Sequence, residues 1–158
     1  MHINIRKVRR EDLATIVRLS RDFAKFEDLS NDCEITEERL DAAMFGQTAF
    51  VEGTLAFDGE KPIAYALFYP NFASFRGQRG FYLEDIFVLD DYRGKGVGEE
   101  ILKEIARLAK VRGFERIDFQ VLDWNLAAIA FYEKFGAVRD EDERHFKFVG
   151  DGFQNLAP

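Results

Sequence analysis

The nonapeptide Asp91-Tyr92-Arg93-Gly94-Lys95-Gly96-Val97-Gly98-Glu99 joins two runs of different period. Before it, Phe81 to Leu89 is apolar and strand-like; after it, Glu100, Ile101, Leu102, Ile105, Leu108 and Ala109 recur at helical spacing. A glycine-rich turn between a strand and a helix presents several backbone N–H groups at the positive end of a helix dipole, with no side chains in the way. Such a turn cradles phosphate. Arg93 and Lys95 add mobile positive charge, so the expected guest carries several phosphates, a diphosphate before a single carboxylate. Read without its surroundings, the same alternation of glycines makes only a tight turn.

Spacing excludes two common phosphate loops. A P-loop needs Ser or Thr after Gly-Lys to hold magnesium, and here Gly94-Lys95 is followed by Gly96. A dinucleotide fingerprint needs a third glycine at the sixth place, which counted from Gly94 is Glu99. The pattern Arg-x-x-Gly-x-Gly, formed by Arg93, Gly96 and Gly98, resembles the acetyl-CoA loop of the GNAT superfamily of N-acetyltransferases. The resemblance implies that backbone amides along Gly94, Lys95, Gly96, Val97 and Gly98 hold the pyrophosphate of the cosubstrate.

Composition sets outer bounds. A chain of 158 residues is expected to form a single domain, 1–158, large enough to bury roughly two-thirds of its unfolded surface. One cysteine, Cys33, cannot form an internal disulfide, which makes a cytoplasmic setting the default; in its polar run, without positive neighbours, it reads as a bystander. No run approaches the roughly 18 apolar residues of a membrane span, so no membrane partner is expected. A formal charge of −7, from 22 basic and 29 acidic residues, argues against nucleic acid and permits a cationic substrate.

In chain order, Ile3, Ile5 and Val8 begin a strand, and Leu13, Ile16, Val17, Leu19, Ser20 and Phe23 mark a first helix with Glu11 and Asp12 in its first turn. The polar segment Lys25 to Asp32 reads as a loop whose carboxylates form a solvated surface by default. A second helix is capped by Thr36 and stopped by Gly46. Phe50 to Phe57 and Ile63 to Tyr69 read as strands joined by the hairpin Asp58-Gly59-Glu60-Lys61-Pro62; Asn71 to Gly80 reads as a loop before the strand Phe81 to Leu89. Beyond the glycine loop, a helix runs to about Val111 with Gly113 as its stop, Arg116 to Leu122 is a strand, and a helix through Ala127, Phe131 and Phe135 ends at Gly136. His145 to Val149 is a final strand, paired with this sheet or with a second subunit. The succession predicts a mixed α/β (α+β) domain with a largely antiparallel sheet.

The second half extends the resemblance. Asn125, Phe131, Tyr132 and Gly136 match the Asn-x-x-x-x-x-Phe-Tyr-x-x-x-Gly segment that follows the cofactor helix and strand in the GNAT superfamily. Tyr82-Leu83-Glu84-Asp85-Ile86-Phe87-Val88, the Asp91-Tyr92-Arg93-Gly94 run, Trp124-Asn125 and Ala24-Lys25-Phe26-Glu27 look like the spermidine/spermine (diamine) and thialysine N-acetyltransferase group. The resemblance runs from Ile5 to about Phe148. It implies a GNAT-type central sheet with helices on both faces, acetyl-CoA as cosubstrate, no metal, a small-molecule amine as acceptor, and a homodimer.

Acetyl transfer from a thioester to an amine needs a neutral amine, a polarised carbonyl and a proton for the departing thiolate. Glu84, beside the loop, can take the amine's proton, which matches the base of the polyamine enzymes this sequence resembles. In a regular strand the neighbouring Asp85 points to the opposite face, unless a bulge turns the two together. Either carboxylate could instead pair with Arg or Lys at the sheet's end. Tyr132 matches the family's proton donor to the coenzyme A sulfur, although a Tyr beside Phe131 on a helix also suits a core. Backbone N–H groups around Phe87 and Val88 would bond the thioester carbonyl and the pantetheine arm. Asn125 would meet that arm, and Lys134 either a phosphate or only water; Phe135 stands where the group has a second basic residue. Glu27 and Asp28 stand where the group's acidic contacts to a cation's distant ammonium groups would be, and Asp85 is either a substrate contact or structural. A CoA-binding regulatory module without turnover and a protein N-terminal or lysine acetyltransferase are the alternatives to a small-amine enzyme.

Overall fold

A computed structural model describes all 158 residues and contains five strands and five α-helices. By chain contacts it divides into two compact units, Met1–Gln120 and Val121–Pro158. In the first, strands β1 (Ile3–Lys7), β2 (Glu52–Asp58), β3 (Lys61–Ala73), β4 (Gln78–Val88) and β5 (Arg116–Asp118) form one sheet in the order β1-β2-β3-β4-β5. The first four pair antiparallel, and β4 pairs parallel with β5. Helices α1 (Leu13–Phe26) and α2 (Glu37–Phe45) precede β2, and α3 (Val97–Val111) makes the crossover from β4 to β5.

The sheet is covered on both faces, which is why Ile63 to Phe68 in β3 is continuously apolar rather than alternating. One core joins Ala56, Ala66, Phe68, Phe81 and Leu83 to Val97, Ile101, Ile105 and Ala109 of α3. The other joins Leu55, Tyr65, Leu67 and Phe87 to Leu13, Ile16, Val17 and Leu19 of α1 and Leu40 of α2. The buried α3 positions recur every four residues, the stripe an amphipathic helix presents to a sheet.

Several boundaries differ from the sequence reading. Asn71 to Gly80 is mostly strand: β3 and β4 continue their ladder from Pro70↔Phe81 out to Ala73↔Gln78, since cross-strand pairing can hold polar and small residues in register once the hairpin is nucleated. The strand expected from Arg116 to Leu122 pairs only over Arg116–Asp118, against Gly80–Tyr82. Thr36 caps α2 as expected, its hydroxyl accepting from the Arg39 amide at 3.1 Å.

The second unit holds α4 (Leu126–Lys134) and the five-residue α5 (Gly150–Gln154). Asn125 caps α4 by accepting from the Ala128 amide at 3.2 Å, and Gly136 follows it at φ +92°, in the left-handed region that ends a helix cheaply. The strand expected over His145–Val149 is not formed. Its alternation of Phe146 and Phe148 with charged residues suits a strand, but a strand exists only where an edge pairs with it, and the sheet takes its pairings from β1 to β5 alone. Val138, Phe146, Phe148, Val149, Phe153 and Leu156 of this unit are exposed. No helix is long and apolar enough to cross a membrane.

The β4–β5 pairing sets a stringent condition at Gly80, where an added Cβ would fall 2.3 Å from the Arg116 carbonyl oxygen. Gly80→Ala is expected to force the two backbones apart and to cost about 2 kcal/mol in urea denaturation. A loss below about 0.5 kcal/mol, the ordinary scatter for an innocuous surface change, would contradict this register.

Candidate active site

Strand β4 carries one surplus residue. Leu67 pairs with Asp85 and the next residue of β3, Phe68, pairs with Leu83, so Glu84 stands opposite no partner. The bulge reverses the strand's parity. Phe81 and Leu83 lie in the α3-side core, whereas Phe87, an even number of residues further on, lies in the α1-side core. Glu84 and Asp85 therefore project on the same side: the Tyr69 hydroxyl donates to Glu84 Oε2 at 3.2 Å, and the Tyr65 hydroxyl, from the same face of β3, donates to Asp85 Oδ2 at 2.9 Å. This settles the geometry the sequence left open, and it corrects the opposite-face expectation for a regular strand.

Glu27 is brought near these two by the end of α1. Asp28 sits at φ +56°, its amide bonds the Lys25 carbonyl, and the Leu29 amide bonds the Ala24 carbonyl. This is a Schellman ending with Asp in the place glycine usually holds. It leaves Glu27 as the last residue of the helical path, half-buried, with burial raising its carboxyl above the usual range.

Asp85 is crowded further. Burial lifts its carboxyl from 3.8 to about 6; the Tyr65 hydrogen bond works in the opposite direction, and the charges of Glu84 and Glu27 add to the rise. Burial and Glu84 together push the Tyr69 phenol up to about 12, so it remains a donor. Tyr82 stacks on Tyr69 with ring centroids 5.4 Å apart, and Phe50 meets Tyr69 edge-on at 5.7 Å, giving the carboxylates an aromatic wall suited to an alkylammonium group.

The glycine loop follows directly. Gly94 (φ +70°) and Gly96 (φ +82°) adopt left-handed backbone, and a Cβ built on either would meet nothing within 4 Å. The glycines thus answer a backbone need and leave open space outside the loop. The Glu100 amide donates to the Gly96 carbonyl; the amides of Val97 and Gly98 precede it in the first turn of α3, where an α-helix has no carbonyl of its own to offer them. A diphosphate fits such a cradle.

Arg93 is pinned rather than mobile. Its Nε donates to the Val88 carbonyl at 3.0 Å, it pairs with Asp90 at 2.6 Å, and its guanidinium lies 4.1 Å from the Phe26 ring centroid. It ties the loop to the end of α1. Tyr92 ties the other side, donating to Asp58 at 3.2 Å, with Lys95 5.6 Å from its ring. Phe87 and Val88 pair with β3 on one edge, and on the other β4 pairs with β5 only over Gly80–Tyr82.

Tyr132, Asn125 and Lys134 stand on α4 of the second unit. Asn125 commits its Oδ1 to the helix cap, accepting from the Ala128 amide. Tyr132 is half-buried against Phe131, with ring centroids 5.2 Å apart, and Lys134 is exposed with its Nζ 5.5 Å from the Phe135 ring. The sequence reading missed Tyr65 and Tyr69. Their spacing of four along a strand, opposite two adjacent acidic residues, was the only signal, and it becomes meaningful once the bulge is known.

The chain matches the model of the acetyltransferase (GNAT) family over residues 15–137. It is 36% identical to the thialysine N-epsilon-acetyltransferase of Bos taurus, across 98% of this chain and 97% of that one. The L-ornithine N5-acetyltransferase of Arabidopsis thaliana is 42% identical over 58% of this chain and 40% of its own length. Among solved structures, an integron cassette protein from the mobile metagenome of V. cholerae superposes with a TM-score of 0.79 at 23% identity, covering 99% of this chain and 98% of that one.

The raised carboxyl of Asp85 has a consequence for stability. An unfolded Asp titrates near 3.9, so proton binding by the folded form stabilises it fully below that value, and the gain is lost as pH rises from about 4 to about 6. Asp85→Asn, which keeps an acceptor for Tyr65, is expected to exceed the unsubstituted chain in stability by about 1–3 kcal/mol above pH 7, with the difference fading toward pH 4. Urea denaturation at both pH values checks this; an equal difference at each end would contradict it.

Proposed function

The chain belongs to the acetyltransferase (GNAT) family and is an N-acetyltransferase acting on amines; we propose that its donor is acetyl-CoA and its acceptor the primary amine of a small cation, such as a polyamine, a diamine or a lysine-like amine. The observation that carries this reading is the bulge at Glu84, which turns two carboxylates to one face immediately before a glycine cradle. Relatives named for thialysine and ornithine, amino acids with a side-chain amine, support the substrate class.

Acetyl-CoA supplies an acetyl group activated as a thioester. In the proposed cycle, amides of Gly94, Lys95, Gly96, Val97 and Gly98 hold its pyrophosphate, with Lys95 and the pinned Arg93 contributing positive potential. The β4 edge at Phe87 and Val88 offers main-chain hydrogen bonds to the arm and the acyl carbonyl, and Asn125 and Lys134 provide further contacts to the arm and a phosphate. Asp85 and Glu27 draw the ammonium form of the amine toward Glu84. Glu84 accepts the proton of that ammonium, directly or through water, and frees the lone pair. The nitrogen attacks the carbonyl carbon, a C–N bond forms, and the C–S bond breaks without an enzyme-bound acyl group. Tyr132 gives a proton to the departing thiolate and regains one from the amide nitrogen through solvent, so the step closes with amide and thiol as products.

The exposed apolar tail, Phe146, Phe148, Phe153 and Leu156 among it, supports a homodimer in which a second copy covers this surface. Light scattering is expected to give the mass of two chains, and the mass of one at working concentration would refute the dimer.

Glu84→Gln is expected to lower kcat/KM by about 10²–10⁴, most strongly at mildly acidic pH, in a thiol-release assay over a panel of polyamines and lysine analogues. An unchanged pH–rate profile removes Glu84 as the base. Tyr132→Phe is expected to lower kcat by about 10² or more while calorimetric affinity for acetyl-CoA stays within about threefold; full turnover in that variant takes Tyr132 out of the mechanism. Absence of any heat with CoA or acetyl-CoA would overturn the donor assignment altogether.

A further inference from the structure

We propose that Tyr65 is a positioning residue for the amine substrate, its buried hydroxyl holding the carboxylate of Asp85 in one orientation on the face that Asp85 shares with Glu84. The proposal rests on the reading of Asp85 as a substrate contact and names the group through which that contact is set.

Tyr65 is fully buried in the α1-side core, anchored by the same packing that holds Leu55, Leu67 and Phe87. Its ring lies 6.4 Å from that of Phe87, and its hydroxyl donates to Asp85 Oδ2 at 2.9 Å. A buried phenol at the end of a packed ring cannot swing away as a Lys or Arg partner could, so one carboxylate oxygen is held and the other, Oδ1, is presented from a constrained rotamer. Burial and the Asp85 charge keep the phenol protonated well above its ordinary range, so Tyr65 is a permanent donor.

The need for such a donor follows from the surroundings of Asp85. From β4 it faces Glu84 and from the end of α1 it faces Glu27, both acidic. Ser20 of α1, whose buried Oγ makes no well-formed hydrogen bond, and Cys33 also lie near enough to Tyr65 to act on its phenol. Arg93 reaches the same aromatic cluster through Phe26 and Phe87 but is committed to Asp90. The Tyr65 bond therefore opposes burial and two like charges, each of which favours the uncharged acid. With it, an incoming ammonium meets a carboxylate at neutral pH; without it, the fraction of uncharged Asp85 grows and the attraction weakens.

The test compares Tyr65→Phe, which removes only the hydroxyl, with the unsubstituted chain and with Asp85→Asn. Carboxyl-carbon NMR titration of Asp85 is expected to show its midpoint raised by about one pH unit in Tyr65→Phe. With the best amine of the panel, KM is expected to rise about twofold at pH 7 and about fivefold at pH 6 in Tyr65→Phe, following the loss of charged Asp85, while kcat at saturating amine stays within about twofold. In the Asp85→Asn background the second substitution is expected to change KM at pH 6 by less than about twofold, because the group it acts through has lost its charge. An unmoved Asp85 midpoint in a well-folded Tyr65→Phe overturns the proposal, as does a fall in kcat at every pH with KM unchanged. A raised midpoint with unaltered KM instead removes Asp85 from the amine site; the NMR arm needs no turnover, so the two failures are told apart.

Discussion

One surplus residue in the β3–β4 ladder organises this molecule. Without it, Phe81, Leu83, Asp85 and Phe87 would all face α3, and Asp85 would be driven into an apolar core. With it, the strand changes face at Glu84: Phe81 and Leu83 still fill the α3 side, Phe87 fills the α1 side, and the two acidic residues emerge together where α1 ends. The local break in the ladder is small beside the burial secured on both faces by Tyr65, Phe68, Phe81 and Phe87.

The same strand also aims the glycine cradle. Its last residue, Val88, offers the carbonyl that Arg93 bonds, and Arg93 in turn covers the ring of Phe26 beside Glu27. Tyr92 fastens the loop to Asp58 at the β2–β3 hairpin. A loop proposed to hold a diphosphate through its amides gains from being held from both sides before the ligand arrives, since ordering on binding would subtract from affinity. Arg93, read from the sequence as a charge for the ligand, is thus also a rivet: an arginine that stacks on an aromatic ring and bonds a carbonyl still adds positive potential to the site but has lost its freedom to reach.

Much of this was legible beforehand because it depends on short-range chemistry. Helical spacing located α1 and α3; Thr36, Gly113 and Gly136 marked ends; and the alternation of glycines marked the turn between β4 and α3. Three features were not. The outer half of the β3–β4 hairpin reads as a loop in sequence because its residues lack apolar alternation, though pairing across the strands holds them. The final strand was expected from the pattern at Phe146 and Phe148, though no edge receives it. The Schellman ending at Asp28 was read as an undirected polar segment, because an Asp in left-handed backbone carries no mark in sequence.

By itself the sequence determined the family-level architecture and the chemistry on offer: a strand, a glycine cradle and a helix in that order, a Glu beside the cradle, and an Asn, Phe and Tyr at their later spacing. Periodicity and glycine placement act within a few residues, so they survive in one dimension. Only the tertiary structure decided that Glu84 and Asp85 share a face, that Tyr65 and Tyr69 each serve one of them, and that Arg93 is held in place. The two tyrosine–carboxylate pairs depend on register between β3 and β4 residues 15 to 20 apart in sequence, set by which side chains two cores can bury, and Arg93 depends on the end of α1 packing beside the loop, not on any residue's own preference.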